Sequence, residues 1–393
     1  MNSLQQAIHD NNINQLRLML ELGYNPNAES KRWKSPLMEA LLACNEEAAR
    51  LLLDYGAHTG GLIFRLIYYD EKALQLLLKL GVNVNERDRL GYTALGHVRN
   101  TNSARTLVMN GAKVNTKNIT GNTPLMTTAD RELKELTELF ITHGAKVNAR
   151  NCLAQTALFA AAKNGNTEVG QILINHGAML NARDYEGRTA LFQAIKNKQE
   201  KFVRLLINHG AKINIIDRYG NTPLFTVLQN GRKNIIEILL EYGADVNRRH
   251  KEGYTPLQLV STSHNFKELA SLLQKYGADA QIVNSFGETP EQRFNNPYYD
   301  ELYTAIINKE TEKVGEILQK PVDINEINLW GRTFLFYAVE FSNPEIIVLL
   351  LDHGADPDLL PLSTGLKFIP LKIQIENLKI GSILSSILKA KER

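Results

Sequence analysis

Six threonines, Thr93, Thr123, Thr156, Thr189, Thr222 and Thr255, fall 30, 33, 33, 33 and 33 residues apart, each within a pattern close to G-x-T-[PA]-L. The segments are GYTAL (91–95), GNTPL (121–125), AQTAL (154–158), GRTAL (187–191), GNTPL (220–224) and GYTPL (253–257). A second marker runs in step: GVNVN at 81, GAKVN at 111 and 144, GAMLN at 177, GAKIN at 210 and GADVN at 243. A period this strict constrains the fold more than any composition does. A unit of about 33 residues is too small to bury a core alone, so successive units must stack.

Between the markers the local signals spell helix, turn, helix. Thr189 is expected to cap a helix with its hydroxyl, and Pro223 fits the first helical turn, where its missing N–H costs nothing. Leu191 and Ile195, then Phe202, Leu205 and Leu206, recur at helical spacing, and Gly210 suits a C′ position of positive φ. The polar residues that follow have room for an extended hairpin but not for a third helix. On this basis helix pairs fall at 3–22, 35–55, 61–80, 93–110, 123–143, 156–176, 189–209, 222–242, 255–276, 300–319 and 333–353.

These residues make the chain resemble the ankyrin-repeat family: the period, the T-P-L helix start and the G-A-D-V-N ending are that family's signature. The expected fold is an all-α repeat solenoid, an ankyrin-like stack of about 11 helix-turn-helix units with projecting hairpin loops. The expected division is a main array over 1–290, an irregular joint over 291–299, and a second short stack over 300–393 closed by a C-terminal capping helix. The chain departs from the family where His usually follows T-P-L. Met126, Phe159, Phe192, Phe225 and Gln258 stand there, which points to an apolar ladder packed between repeats. The third unit, around 56–81, brings its next glycine after only 25 residues and should interrupt the hairpin row.

Cys44 and Cys152 are too few for a disulfide framework and form no C-x-x-C pair. No run approaches 18 apolar residues, and no signal-peptide pattern opens the chain, so a cytoplasmic, monomeric protein without a transmembrane segment is expected. Phosphate-loop, zincin, nucleophile-elbow and dinucleotide motifs are missing, which leaves no catalytic, cofactor or metal residue to name. His143, His176, His209 and His353 recur one per repeat, about 8–10 Å apart in a stack, too far to share a zinc ion. Helix-end bonds to the last carbonyls account for them. The marker asparagines read as turn chemistry.

Function must therefore lie on the surface. The resemblance implies a concave face, lined by hairpin tips and first helices, that binds partners. Net charge is only +3, yet of 24 hairpin positions in the six regular units nine are Lys or Arg, four are Tyr and two are acidic. The candidate partner-binding residues are Arg87, Arg89, Tyr92, Lys117, Arg150, Lys163, Arg183, Tyr185, Arg188, Lys196, Arg218, Tyr219, Arg249, Lys251 and Tyr254. Arginine offers planar bidentate recognition and tyrosine rigid apolar area, so a non-enzymatic scaffold for an acidic or phosphorylated protein segment is the leading expectation. Single-stranded nucleic acid or nucleotide binding by the same face, and an enzyme site in 278–330 or the tail, are the alternatives. Abundant Asn, Lys and Ile resemble an AT-rich genome, which adds a host-directed bacterial effector, acting in host cytoplasm, to the readings.

Overall fold

The structure is a computed structural model that describes residues 3–28, 35–230, 233–251, 253–260, 266–282, 290, 298–325, 333–341, 343–357 and 359. Among these, every regular element is an α-helix. The chain divides into two compact units, 1–218 and 219–393, a boundary that falls inside the array expected over 1–290. Most of the expected joint, and the capping helix after 365, lie outside the described residues.

In the first unit the helices follow in pairs: α1 (Ser3–His9) with α2 (Ile13–Glu21), α3 (Pro36–Leu42) with α4 (Glu46–Asp54), α5 (Leu62–Tyr69) with α6 (Glu71–Lys79), and α7 (Ala94–His97) with α8 (Thr101–Met109). They continue as α9 (Pro124–Asp130) with α10 (Lys134–Thr142), α11 (Ala157–Asn164) with α12 (Thr167–Asn175), and α13 (Ala190–Lys196) with α14 (Glu200–Asn208). First helices pack on first helices, α9 on α11 on α13, and second on second, α10 on α12 on α14. The second unit holds α15 (Pro223–Asn230), α16 (Lys233–Glu241), α17 (Pro256–Val260), α18 (Phe266–Lys275), α19 (Tyr299–Ile307), α20 (Thr311–Leu318), α21 (Phe334–Glu340) and α22 (Pro344–Asp352). Its last four helices share one core built on Leu302, Ile306, Ile317, Leu335, Ile346 and Leu350.

The residues after T-P-L or T-A-L are core, as the pattern implies: Met126, Phe159, Phe192, Phe225 and Gln258 are all buried. Gln258 stays polar there because its amide is satisfied, donating to Ile282 O at 3.0 Å and accepting from Thr255 N at 2.8 Å. Gly170 on α12 lets Phe202 of α14 approach so closely that an added Cβ would sit 2.6 Å from the ring.

The expected cap at Thr189 is corrected. Where the sequence reads Thr-Pro-Leu the hydroxyl accepts an amide: Met126 N to Thr123 at 3.4 Å, Phe225 N to Thr222 at 3.4 Å, Gln258 N to Thr255 at 3.3 Å. Where it reads Thr-Ala-Leu, at Thr93, Thr156 and Thr189, no such bond forms. Thr189 Oγ1 is buried without a partner. Proline at the first helical position fixes its own φ and restricts the residue before it. Thr123 has ψ 163° against 174° at Thr189, but proline is not required for the bond: Thr333, followed by Phe334, has ψ 171° and accepts Phe336 N at 3.2 Å.

The marker asparagines do more than turn chemistry: Asn85, Asn115, Asn148 and Asn247 each clamp the following repeat. Asn148 donates to Gly177 O at 2.8 Å and accepts from Met179 N at 2.8 Å. Asn115 holds Gly144 O and Lys146 N in the same way, and Asn247 and Asn325 repeat the clamp in the second unit. The histidines meet their expectation: in His143, His176, His209 and His353, Nδ1 lies 2.8 Å from the carbonyl four residues back.

Candidate partner-binding face

Four hairpins of the first unit are each organised by one short polar side chain. Asp88 Oδ1 accepts the amides of Leu90 and Tyr92 at 2.8 and 2.9 Å, and Asp184 Oδ1 accepts those of Glu186 and Arg188 at 2.9 Å. Asn118 and Asn151 do the same for their own turns. A residue of positive φ then closes the turn. It is glycine at 121, where a Cβ would lie 2.7 Å from Cys152 N of the next hairpin, but alanine at Ala154, with φ 63°.

Successive tips are hydrogen-bonded into a row. Ile119 N donates to Leu90 O at 3.1 Å, Cys152 N to Thr120 O at 3.0 Å, Tyr185 N to Leu153 O at 3.2 Å and Arg218 N to Glu186 O at 2.8 Å. The shortened third unit has no place in it: only residues 55–61 join α4 to α5, against 80–93 between α6 and α7. Arg89, at the first tip, therefore has no carbonyl to meet from that side.

A second ladder, of cations, runs beside the first. Arg87 Nη1 donates to its own hairpin at Gly91 O, 2.9 Å, and to Lys117 O of the next at 2.7 Å. Lys117 Nζ donates to Arg150 O at 2.7 Å. Arg150 bonds Ala154 O at 2.9 Å and Arg183 O, and Arg183 bonds Gly187 O at 3.0 Å and Ile216 O. Four of the candidate cations thus staple one hairpin to the next, a task the sequence did not announce. All four remain exposed, and a backbone carbonyl carries no formal charge, so the staples leave their positive charge uncompensated.

The other candidates divide. Arg89, Lys163 and Lys196 are exposed, the last two in the final turns of α11 and α13. Arg218 is exposed, and Tyr185 is 71% exposed. Arg188 departs from the expected display, paired with Glu186 and 3.6 Å from the buried carboxylate of Asp217. Tyr92 is half-buried, its ring 5.1 Å from that of His97. In the second unit Tyr219, Arg249 and Lys251 are exposed. Tyr254 is 7% exposed and packs on His250 at 5.3 Å, which removes it from the surface.

His97 also ties down the first hairpin, its Nε2 lying 2.6 Å from Asp88 Oδ2. Burial pushes the Asp88 carboxyl up, but the His97 bond and the Tyr92 and Leu90 amides outweigh it and hold the group below its ordinary value. Between hairpins and first helices lies a groove of about 300 Å³, reached by Asn122, Gln155, Lys163, Arg131, Asp130 and Gln193. No metal-ligating cluster occurs among the described residues. None of their helices is long and apolar enough to cross a membrane.

Counting charges hid an apolar component. Leu90, Ile119 and Leu153 stand at the same tips, 55%, 66% and 59% exposed, in company with Tyr185. Their signal was legible as bulky apolar residues at turn positions that ordinarily take polar ones.

Family models described as ankyrin repeats match residues 125–217, 215–284 and 302–351, together more than half of the chain. A putative ankyrin repeat protein of Fowlpox virus, FPV222, is 35% identical over 79 residues, 19% of this chain and 11% of that protein, so the likeness spans a small part of the relative. The crystal structure of the human ASB11 ankyrin repeat domain superposes with a TM-score of 0.49 at 23% identity, over 54% of this chain and 96% of that one.

Proposed function

This chain belongs to the ankyrin-repeat proteins, and on that footing we propose that it is a non-enzymatic scaffold that captures an acidic segment of a partner protein on the hairpin face of its first unit. Ankyrin repeats are a protein-interaction scaffold in general. The observation that carries the acidic preference is the cation ladder. Arg87, Lys117, Arg150 and Arg183 spend their hydrogen bonds on neutral carbonyls, so a row of uncompensated positive charge recurs once per repeat, with Arg89, Lys163 and Lys196 beside it. A partner bearing carboxylates or phosphoresidues would meet complementary potential.

Single-stranded nucleic acid would need a succession of exposed rings on which bases stack. Burial of Tyr254 and the half-buried Tyr92 weaken that alternative. The proposed host-directed effector role, with its location in host cytoplasm, rests on composition. For the alternative of an enzyme site in 278–330 or the tail, residues 283–289, 291–297, 326–330 and those from 360 onward lie outside the described residues.

The test reverses cations that staple nothing. Arg89→Glu, Lys163→Glu and Lys196→Glu together should lower affinity for an acidic peptide at least about tenfold while leaving the melting temperature unchanged. Unaltered affinity would sink the proposal. A steep salt dependence with a single-stranded oligonucleotide, and none with the acidic peptide, would favour the nucleic-acid alternative.

A further inference from the structure

The tips give the face a spacing as well as a charge. The bond from Ile119 N to Leu90 O sets those two exposed side chains next to each other, and the bond from Tyr185 N to Leu153 O does the same for a second pair. Between the pairs lies the Cys152 N to Thr120 O rung, so the apolar surface comes in two patches separated by a more polar step. Large exposed apolar side chains gathered in this way mark interaction sites.

We propose that this row seats an extended, acidic segment of a partner protein by two bulky apolar anchors six residues apart, one on Leu90 and Ile119, the other on Leu153 and Tyr185. The inference rests on the acidic-partner function above and adds the register. Helices of stacked repeats pack about 10 Å apart, so equivalent tips recur at about that interval, and the two patches, two repeats apart, are separated by about 20 Å. An extended chain rises about 3.3 Å per residue and covers that distance in six. The row is two residues wide, the breadth of one extended strand and less than the roughly 10 Å girth of a helix. Arg89, Lys117, Arg150 and Arg183 flank both patches and the step between them, matching acidic residues placed between the anchors.

The experiment uses the full chain and two fluorescein-labelled synthetic peptides of one composition, read by anisotropy. Leu-Asp-Glu-Pro-Asp-Glu-Leu places its leucines six apart, with proline excluding helix; Leu-Asp-Glu-Leu-Pro-Asp-Glu places them three apart. The first should bind about tenfold more tightly or better, and Leu90→Ser or Leu153→Ser should each remove about tenfold from its affinity with an unchanged melting temperature. Equal affinity for the two peptides, no binding of either, or indifference to both serine variants overturns the anchors. If the serine variants bind normally while the Arg89, Lys163 and Lys196 reversals do not, the acidic-partner function stands and only the anchor register fails. If the serine variants lose binding and the reversals do not, the charge reading falls instead.

Discussion

At the scale of single residues, the same side chain does different work in different repeats. Thr123, followed by proline, and Thr333, followed by phenylalanine, cap their helices, and Thr189, followed by alanine, does not. Thr189→Val should therefore be neutral or stabilising in chemical denaturation, since it removes a buried hydroxyl that has no partner, whereas Thr123→Val should lose about 1 kcal/mol. Ala154 occupies a left-handed turn position filled by glycine in the neighbouring hairpins, so Ala154→Gly should raise stability by up to about 1 kcal/mol, net of the greater freedom of the unfolded chain. Asp88 offers a pH test. Asparagine already holds the equivalent turns at Asn118 and Asn151, so Asp88→Asn keeps the turn and loses only the charge facing His97. Because the folded Asp88 pKa is lowered, its stabilising contribution is present above the unfolded value near pH 4 and is lost as pH falls through the folded value. Wild type and variant should differ by up to about 1 kcal/mol at pH 6, and the difference should shrink as pH falls through the folded value in acid-unfolding curves.

At the scale of elements, periodicity made the helix pairs and the apolar ladder legible, because burial alone decides those positions. Phe159, Phe192 and Phe225 had no alternative once the repeats stack. What the cations do was not legible, since it depends on where a long flexible side chain meets the backbone of a unit 33 residues on; Arg150 reads as surface until Arg183 O is placed beneath it. Tyr254 failed as a display residue for a related reason: its neighbour His250 replaces the usual Asp or Asn and offers a ring to pack against. The close contact between α12 and α14 carries a prediction of the same kind. Gly170→Ala gains about 1 kcal/mol of helix propensity but drives a methyl into Phe202 and should cost about 1–3 kcal/mol overall, a loss measurable by thermal unfolding.

At the scale of the whole molecule, the first unit carries a row with a beginning. In hydrogen exchange the amides of Ile119, Cys152, Tyr185 and Arg218, each bonded to the preceding tip, should be protected, and that of Arg89 should exchange freely; equal protection along the row would contradict an interruption at 55–61. The two ladders also point in opposite directions. Side-chain donors reach forward to the next carbonyl, and tip amides reach back to the previous one. Any 33-residue block cut at the same phase therefore carries both halves of the joint it needs. A gene encoding such a chain can lengthen or shorten its reading surface by duplicating or dropping whole blocks, and every new seam closes with bonds the old ones already used.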